Sequence, residues 1–171
     1  CMALGMTGPV LRATGLPLFS VDSHRAADEF DLMAFNLSAA LTYTNLVNCI
    51  DLAGVPVRAA DRTEGHPLIV AGGHCTYNPE PLADFLDAVV LGDGEEVVGE
   101  ITEVMAAHKA RPGASRASLL LALAGIESVY VPSLSAVTLV YKGMVMPQHL
   151  VEFYPDLADE RMVASVAIFH Q

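Results

Sequence analysis

Tryptophan is absent, aromatic residues make up only 6% of the chain, and no basic aromatic patch of the kind that binds nucleic acid can be identified from spacing. Positive charge is equally scarce. Nine Lys and Arg face twenty Asp and Glu, a net charge of -11, and no run of basic residues interrupts that excess. A nucleic-acid backbone or an anionic membrane face would be repelled by such a chain as a whole. No stretch of about twenty apolar residues exists to span a bilayer. A cationic leader with a cleavage site is missing too, which makes the cytoplasm the default expectation. Cysteine is limited to Cys1, Cys49 and Cys75. Their odd number and wide spacing argue against a disulfide scaffold, and they form neither a CxxxCxxC nor a CxxC pattern.

What the chain has instead is aliphatic bulk. The hydrophobic share is 53% over 171 residues, enough for one soluble globular domain with a real core and an appendage. Its organising stretch is Leu68 to Glu96, LIVAGGHCTYNPEPLADFLDAVVLGDGEE. Two continuous apolar runs stand at its start and near its end, the pattern of parallel strands covered on both faces. Between them, Asn78 before Pro79 predicts a short helix, since Asn caps free amides and Pro is tolerated in a first turn. The loops Gly72 to Asn78 and Gly92 to Glu96 then fall at the carboxyl ends of neighbouring strands, where ligands bind in open α/β sheets.

In chain order, Val10 to Thr14 reads as a last helical turn stopped by Gly15. Leu16 to Val21 is expected as a short strand, placed at an edge by Pro17. The opening on Cys1 rather than Met suggests a piece of a longer polypeptide whose first strand and most of a helix lie upstream. Leu32 to Leu37 is a buried strand. Thr42 to Ala53 is a helix with Leu46, Val47, Ile50 and Ala53 on one stripe and Gly54 as its stop. Val55 to Ala60 extends again, and Asp61 to His66 is polar and expected to be mobile.

Glu95 to Lys109 is the clearest helix, with Val97, Val98, Ile101, Val104 and Met105 on one face. Its acids lie in the first turn and His108 and Lys109 in the last, as the macrodipole prefers. Ser115 caps another helix ending near Gly125, and Val129 to Pro132 is extended. A strand or hairpin is expected over Val137 to Met146. The alternation predicts a doubly wound, mostly parallel α/β sheet of Rossmann-like, flavodoxin type over residues 1–133, with a less regular extension or linker over 134–171.

Three sets of residues carry a resemblance. Leu37-Ser38-Ala39-Ala40-Leu41-Thr42 after one strand and Ala71-Gly72-Gly73-His74 after the next are similar to the loops of cobalamin-binding Rossmann-like domains. Together with DAVVLGDGEE, they resemble the cobalamin-binding-like domain that precedes the barrel in radical SAM proteins. The likeness runs from about Leu11 to Ser133 and takes in LPLFSV and VYVPS. It implies a corrinoid as ligand and a radical SAM barrel of the same polypeptide as partner. The barrel, present only in a full-length protein, would hold the 4Fe-4S cluster and S-adenosylmethionine.

On that resemblance the cofactor-binding candidates are Ser38, Leu41, Thr42, Gly72, Gly73, His74, Gly92, Asp93 and Gly94. Gly72 and Gly73 either let backbone approach a flat ligand or make a tight strand-to-helix turn. Ser38 and Thr42 either offer hydroxyls to a ligand tail or cap a helix; Leu41 would be an apolar wall. The cobalt-ligating Asp-x-His-x-x-Gly pattern is not met. Asp22-Ser23-His24 is followed by Ala27 where Gly is required, so it reads as surface.

His74 beside Cys75 lacks further metal ligands at suitable spacing and reads as a pocket-lining histidine. Cys49 reads as core. Gly92-Asp93-Gly94 begins like a dinucleotide loop, but Val97 takes the third glycine's place and Asp93, Glu95 and Glu96 would repel a pyrophosphate. No catalytic pair is identified, so the chain alone is read as non-catalytic. The reading is an accessory cobalamin-binding-like domain of a radical SAM enzyme. Its alternative is a ligand-free Rossmann-like module that covers substrate or docks a partner. A homo-oligomer is left open.

Overall fold

Apolar residues alternate between two cores along each of the central strands, and that alternation fixes the architecture. The computed structural model describes residues 4–133. By internal contacts the chain divides into two compact units, Cys1–Val137 and Thr138–Gln171, and the described residues belong to the first. The expected strand or hairpin at Val137 to Met146 lies outside the described residues.

The first unit contains helix α1 (Leu4–Thr14), strand β1 (Leu32–Asn36), helix α2 (Tyr43–Leu52) and strands β2 (Leu68–Gly72) and β3 (Ala88–Val90). Helices α3 (Gly94–Lys109) and α4 (Arg116–Leu123) and strand β4 (Val129–Tyr130) complete it. Sheet order is β1-β2-β3-β4. The first three strands are parallel, with Leu32 beside Leu68 and Asn36 beside Gly72, and β4 returns antiparallel to β3. This is a mostly parallel α/β sheet with helices on both faces, as the sequence pattern predicts.

Ile69, Ala71 and Val89 point to one face, where Leu46 and Ile50 of α2 cover them together with Leu82, Leu86 and Tyr130. Leu68, Val70, Ala88 and Val90 point to the other, against Val97 and Ile101 of α3 and Leu123 of α4. Each fully buried Ile or Leu of these cores contributes about 1.5–3 kcal/mol relative to exposure. Two helix boundaries follow the sequence directly. Gly15 adopts φ 68° after α1 and Gly54 φ 72° after α2, the left-handed conformation that ends a helix. At α4, Ser115 accepts from the Ser118 amide while the Ser118 hydroxyl reaches back, a reciprocal cap.

Several expectations need correction. Leu16 to Val21 is not a strand; Phe19 makes one isolated antiparallel bridge to Ala26 as the chain folds back through Ser20 and Arg25. Proline at position 17 offers no amide and the reversal follows at once, so no ladder develops. The helix expected after Asn78 is replaced by two single 3-10 turns, His74–Tyr77 and Glu80–Leu82; Asn78 closes the first, and Pro79 rather than Asn78 takes the N-cap position of the second. Pro79 and Pro81 remove two donors in three residues, enough to prevent an α-helical ladder. Val55 to Ala60 forms no strand and leads into another 3-10 turn, Ala59–Asp61.

Asp61 to His66 is anchored rather than loose. Arg62 is only 6% exposed and donates to Asp87 Oδ2 at 2.8 Å and to the carbonyls of Pro56, Val57 and Phe85. Asp87, 2% exposed, also accepts from the Ile69 amide at 2.7 Å and from Arg116 at 2.8 Å. One carboxylate therefore joins the starts of β2, β3 and α4 and the loop before β2. Burial pushes the Arg62 guanidinium below its ordinary pKa, Asp87 opposes that shift, and the nearby Arg116 adds to it.

Candidate functional site

Parallel pairing sends β1, β2 and β3 out at one edge of the sheet, so the turns after them share that edge. There the backbone turns sharply at Gly73, whose φ of 105° suits glycine alone. Space is as restrictive as conformation. A Cβ on Gly73 would run into Asn36 Oδ1 and lie 2.9 Å from the Leu37 carbonyl oxygen and 3.1 Å from the Leu37 amide. The room left by the missing side chain is thus filled by the end of β1. Gly72 packs more loosely, with a built Cβ 3.7 Å from that of Val90 at the end of β3.

Hydrogen bonds complete this join. The Leu37 amide donates to Gly72 and the Cys75 amide to Leu37, at 2.7 and 2.9 Å. The Thr76 hydroxyl lies 2.7 Å from the Gly73 carbonyl and 3.1 Å from that of Val90, spanning two strand ends. From α2, the Tyr43 hydroxyl donates to the Cys75 carbonyl at 2.9 Å. Burial, followed by interaction with Cys75, raises the pKa of that phenol. Tyr130 reaches Glu80 Oε1 at 2.9 Å and holds the far end of the same loop.

Ser38 and His74 are exposed on this edge. The Thr42 hydroxyl donates back to the Ala39 carbonyl at 2.6 Å, closing a local turn without capping α2. Leu41 is 90% exposed and Tyr77 57%, large apolar surfaces left in solvent. Gly92 has φ 109°, and neither it nor Gly94 has a heavy atom within 4 Å of a built Cβ. Asp93 occupies the cap position of α3 without a side-chain hydrogen bond to it. The structure therefore brings Gly72 and Gly73 together with Asn36, Leu37 and Val90, while Ser38, Leu41, His74 and Asp93 stand outward.

Sequence reasoning missed Tyr43 and Thr76, whose hydroxyls stitch the edge, and Asn36, whose side chain packs against Gly73. A hydroxyl one residue after His74-Cys75 was the available signal for Thr76. His24 lies in the Ser20–Arg25 reversal with its ring 6.3 Å from that of Phe19. Among the described residues, no group of three or more His, Cys, Asp or Glu is placed to hold a metal ion. At the opposite edge a groove of about 790 Å³ runs between Asp31, Glu64, His66, Met105, Lys109 and Arg116. No helix among the described residues is long and apolar enough to cross a membrane.

Against known families, the profile described as "Radical SAM proteins, N-terminal" matches residues 6–132. The chain belongs to this family. A second profile, "Glutamine amidotransferases class-II", matches residues 103–171 and overlaps the first over 103–132. In the radical SAM N-terminal domain, the shared stretch is the end of α3, α4 and β4. There Leu123, Ile126 and Val131 pack with Val70 and Val90, so those residues complete the second core of that domain. The large chain of glutamate synthase [NADPH] from Azospirillum brasilense is 50% identical over 46 residues, 27% of this chain and 3% of that protein. The present chain thus spans a small fraction of that relative's length. No solved structure matches.

Proposed function

We propose that this radical SAM N-terminal domain is a non-catalytic module that docks against a radical SAM barrel through its carboxyl strand edge. The observation that carries the reading is the contrast at that edge. Gly73, the glycine most suggestive of a ligand, has its space filled by Asn36 and Leu37. Leu41 and Tyr77, by contrast, present apolar surface to solvent beside it. Large exposed apolar side chains around a rigid, hydrogen-bonded edge suit a protein partner. The cluster and S-adenosylmethionine belong to the barrel in this reading, and the described residues supply no ligand set for the cluster.

A corrinoid is the second reading, favoured by the open space over Gly92 and Gly94. A deep slot would require Gly73 and Leu41 to line it, and the first is filled while the second is 90% exposed. The described residues therefore fit a flat ligand poorly. Incubation with hydroxocobalamin followed by desalting is expected to leave colourless protein; retained visible absorbance would restore the corrinoid reading. Docking is checked by calorimetric titration with a radical SAM barrel expressed separately. Leu41→Asp is expected to weaken binding at least tenfold while changing stability by less than about 0.5 kcal/mol, the usual range for an exposed position. Unchanged affinity would remove this edge as the docking face.

The amidotransferase match covers 69 residues, those from 103 to 171, of which the first thirty are built into the radical SAM N-terminal domain. No amidotransferase activity is assigned to the chain on that basis.

A further inference from the structure

A histidine ring closes the loop that leads into β2. The Thr63 amide donates to His66 Nδ1 at 3.0 Å, and the His66 amide donates back to the Thr63 carbonyl at 3.1 Å. A backbone amide can only donate, so Nδ1 is the bare nitrogen of a neutral ring and the ring proton sits on Nε2. The Thr63 hydroxyl, 3.1 Å from the same nitrogen, is then a second donor to it.

The turn so closed forms one wall around Arg116. From the start of α4, Arg116 donates through Nη1 to the carbonyls of Thr63 and His66 at 3.1 and 2.9 Å, and through Nη2 to that of Pro67 at 3.1 Å. Its backbone amide reaches Glu64 Oε1 at 3.3 Å. Among the described residues Nε is buried with no partner, so the guanidinium is held by these carbonyls and by Asp87.

We infer that His66 is a pH-sensitive catch, in which a proton taken up at Nδ1 removes the acceptor, opens the turn between Thr63 and His66 and loosens the wall around Arg116. Histidine is the side chain that ordinarily changes charge between about pH 5 and 8. His66 is half-buried, open enough to exchange a proton with solvent. Once charged, the ring sets an N–H against the Thr63 amide, donor to donor. It also brings positive charge to a groove that it lines together with Arg116. Asp87 keeps its hold on Arg116, so the response is a local opening rather than unfolding.

The other charged groups of this groove leave the histidine as the titrating element. On its own loop, the Glu64 carboxyl is held below the usual range by its own amide and then by that of Arg116, so it stays ionised. Asp28, Glu29 and Asp31 precede β1; Glu29 pairs with Arg25, and Asp31 accepts twice from Lys109 of α3. His108 lies in the last turn of α3 and Arg111 just beyond it. Of these, His108 alone is of a type that changes charge over the same range, so it supplies the control.

NMR on the full 171-residue chain tests the catch. Proton-nitrogen correlation spectra of the rings at about pH 8 should show His66 neutral with its proton on Nε2. The protection factor of the Thr63 amide, taken against the unstructured rate at each pH, should fall about tenfold between about pH 8 and about pH 5.5. His66→Asn keeps an acceptor oxygen where Nδ1 stood and cannot titrate, so its protection should hold across the range. His66→Phe has no acceptor and should show the low value throughout, while His108→Gln should behave as the natural chain. A neutral ring protonated at Nδ1, a protection factor that ignores pH in the natural chain, or an equal fall in His66→Asn would overturn the inference.

Discussion

The two edges of the sheet are built on different principles. At the amino edge, the Asp87 carboxylate holds Arg62, Arg116 and the start of β2 within a dry interior, and each guanidinium is further surrounded by backbone carbonyls. At the carboxyl edge, neutral groups do the joining: a glycine that lets two chains approach, one threonine hydroxyl and one phenol. A charged lock is costly to open because any single removal strands buried charge. A neutral join fails gradually, which suits the docking role proposed for this edge. Placement follows the same logic, since the amino edge secures the strands and leaves their other ends available.

The largest expected effect comes from breaking the charged lock. Asp87→Ala leaves two guanidinium groups without their counterion, and breaking a buried pair from one side typically costs about 3–5 kcal/mol. Urea unfolding should show that loss as a lowered midpoint. A cost below 1 kcal/mol would mean that the carbonyl cages alone carry the arginines. At the neutral edge, Gly73→Ala meets both an unfavourable φ and the Leu37 carbonyl, for a cost of about 1–3 kcal/mol. Gly94→Ala, with open space and no positive φ, should be neutral within about 0.5 kcal/mol. Equal costs at the two glycines would erase the distinction between a filled and an open turn.

The smallest effect concerns acid. Glu64 is exposed, and its carboxyl is held below the usual range first by its own amide and then by the Arg116 amide. A folded pKa below the unfolded one means a contribution that is complete above the ordinary value, about 4.3. It is lost as pH falls through the lower folded value. Urea midpoints of the natural chain and Glu64→Gln should therefore differ at neutral pH and draw together as pH falls below the ordinary carboxyl value, about 4.3. A gap that widens in acid would reverse the sign.

Much of the frame was legible because it rests on local rules. The apolar runs at Leu32, Leu68 and Ala88, the stripe from Val97 to Met105, the stop glycines 15 and 54 and the Ser115 cap each signal themselves within a few residues. The lock was not, because Asp87 finds Arg62 and Arg116 at separations of 25 and 29 residues. In the sequence, Arg62 sits in a run that looks like an ordinary solvated loop. The candidate edge was half legible. Parallel strands place its turns together, yet nothing in Gly72-Gly73 reveals that the space a side chain would take at the second glycine is held by Asn36 and Leu37. The antiparallel return of β4 was likewise hidden, since two residues carry no direction.

Thr76 has one hydroxyl proton and two carbonyls within reach, those of Gly73 and Val90. That proton serves one of them at a time, so the second and third strand ends share a single clasp. Rotation about one side-chain bond moves the clasp from one strand to the other while the backbone stays in place. A small tilt of the loop on meeting a neighbour would then exchange one tether for another instead of severing the only one.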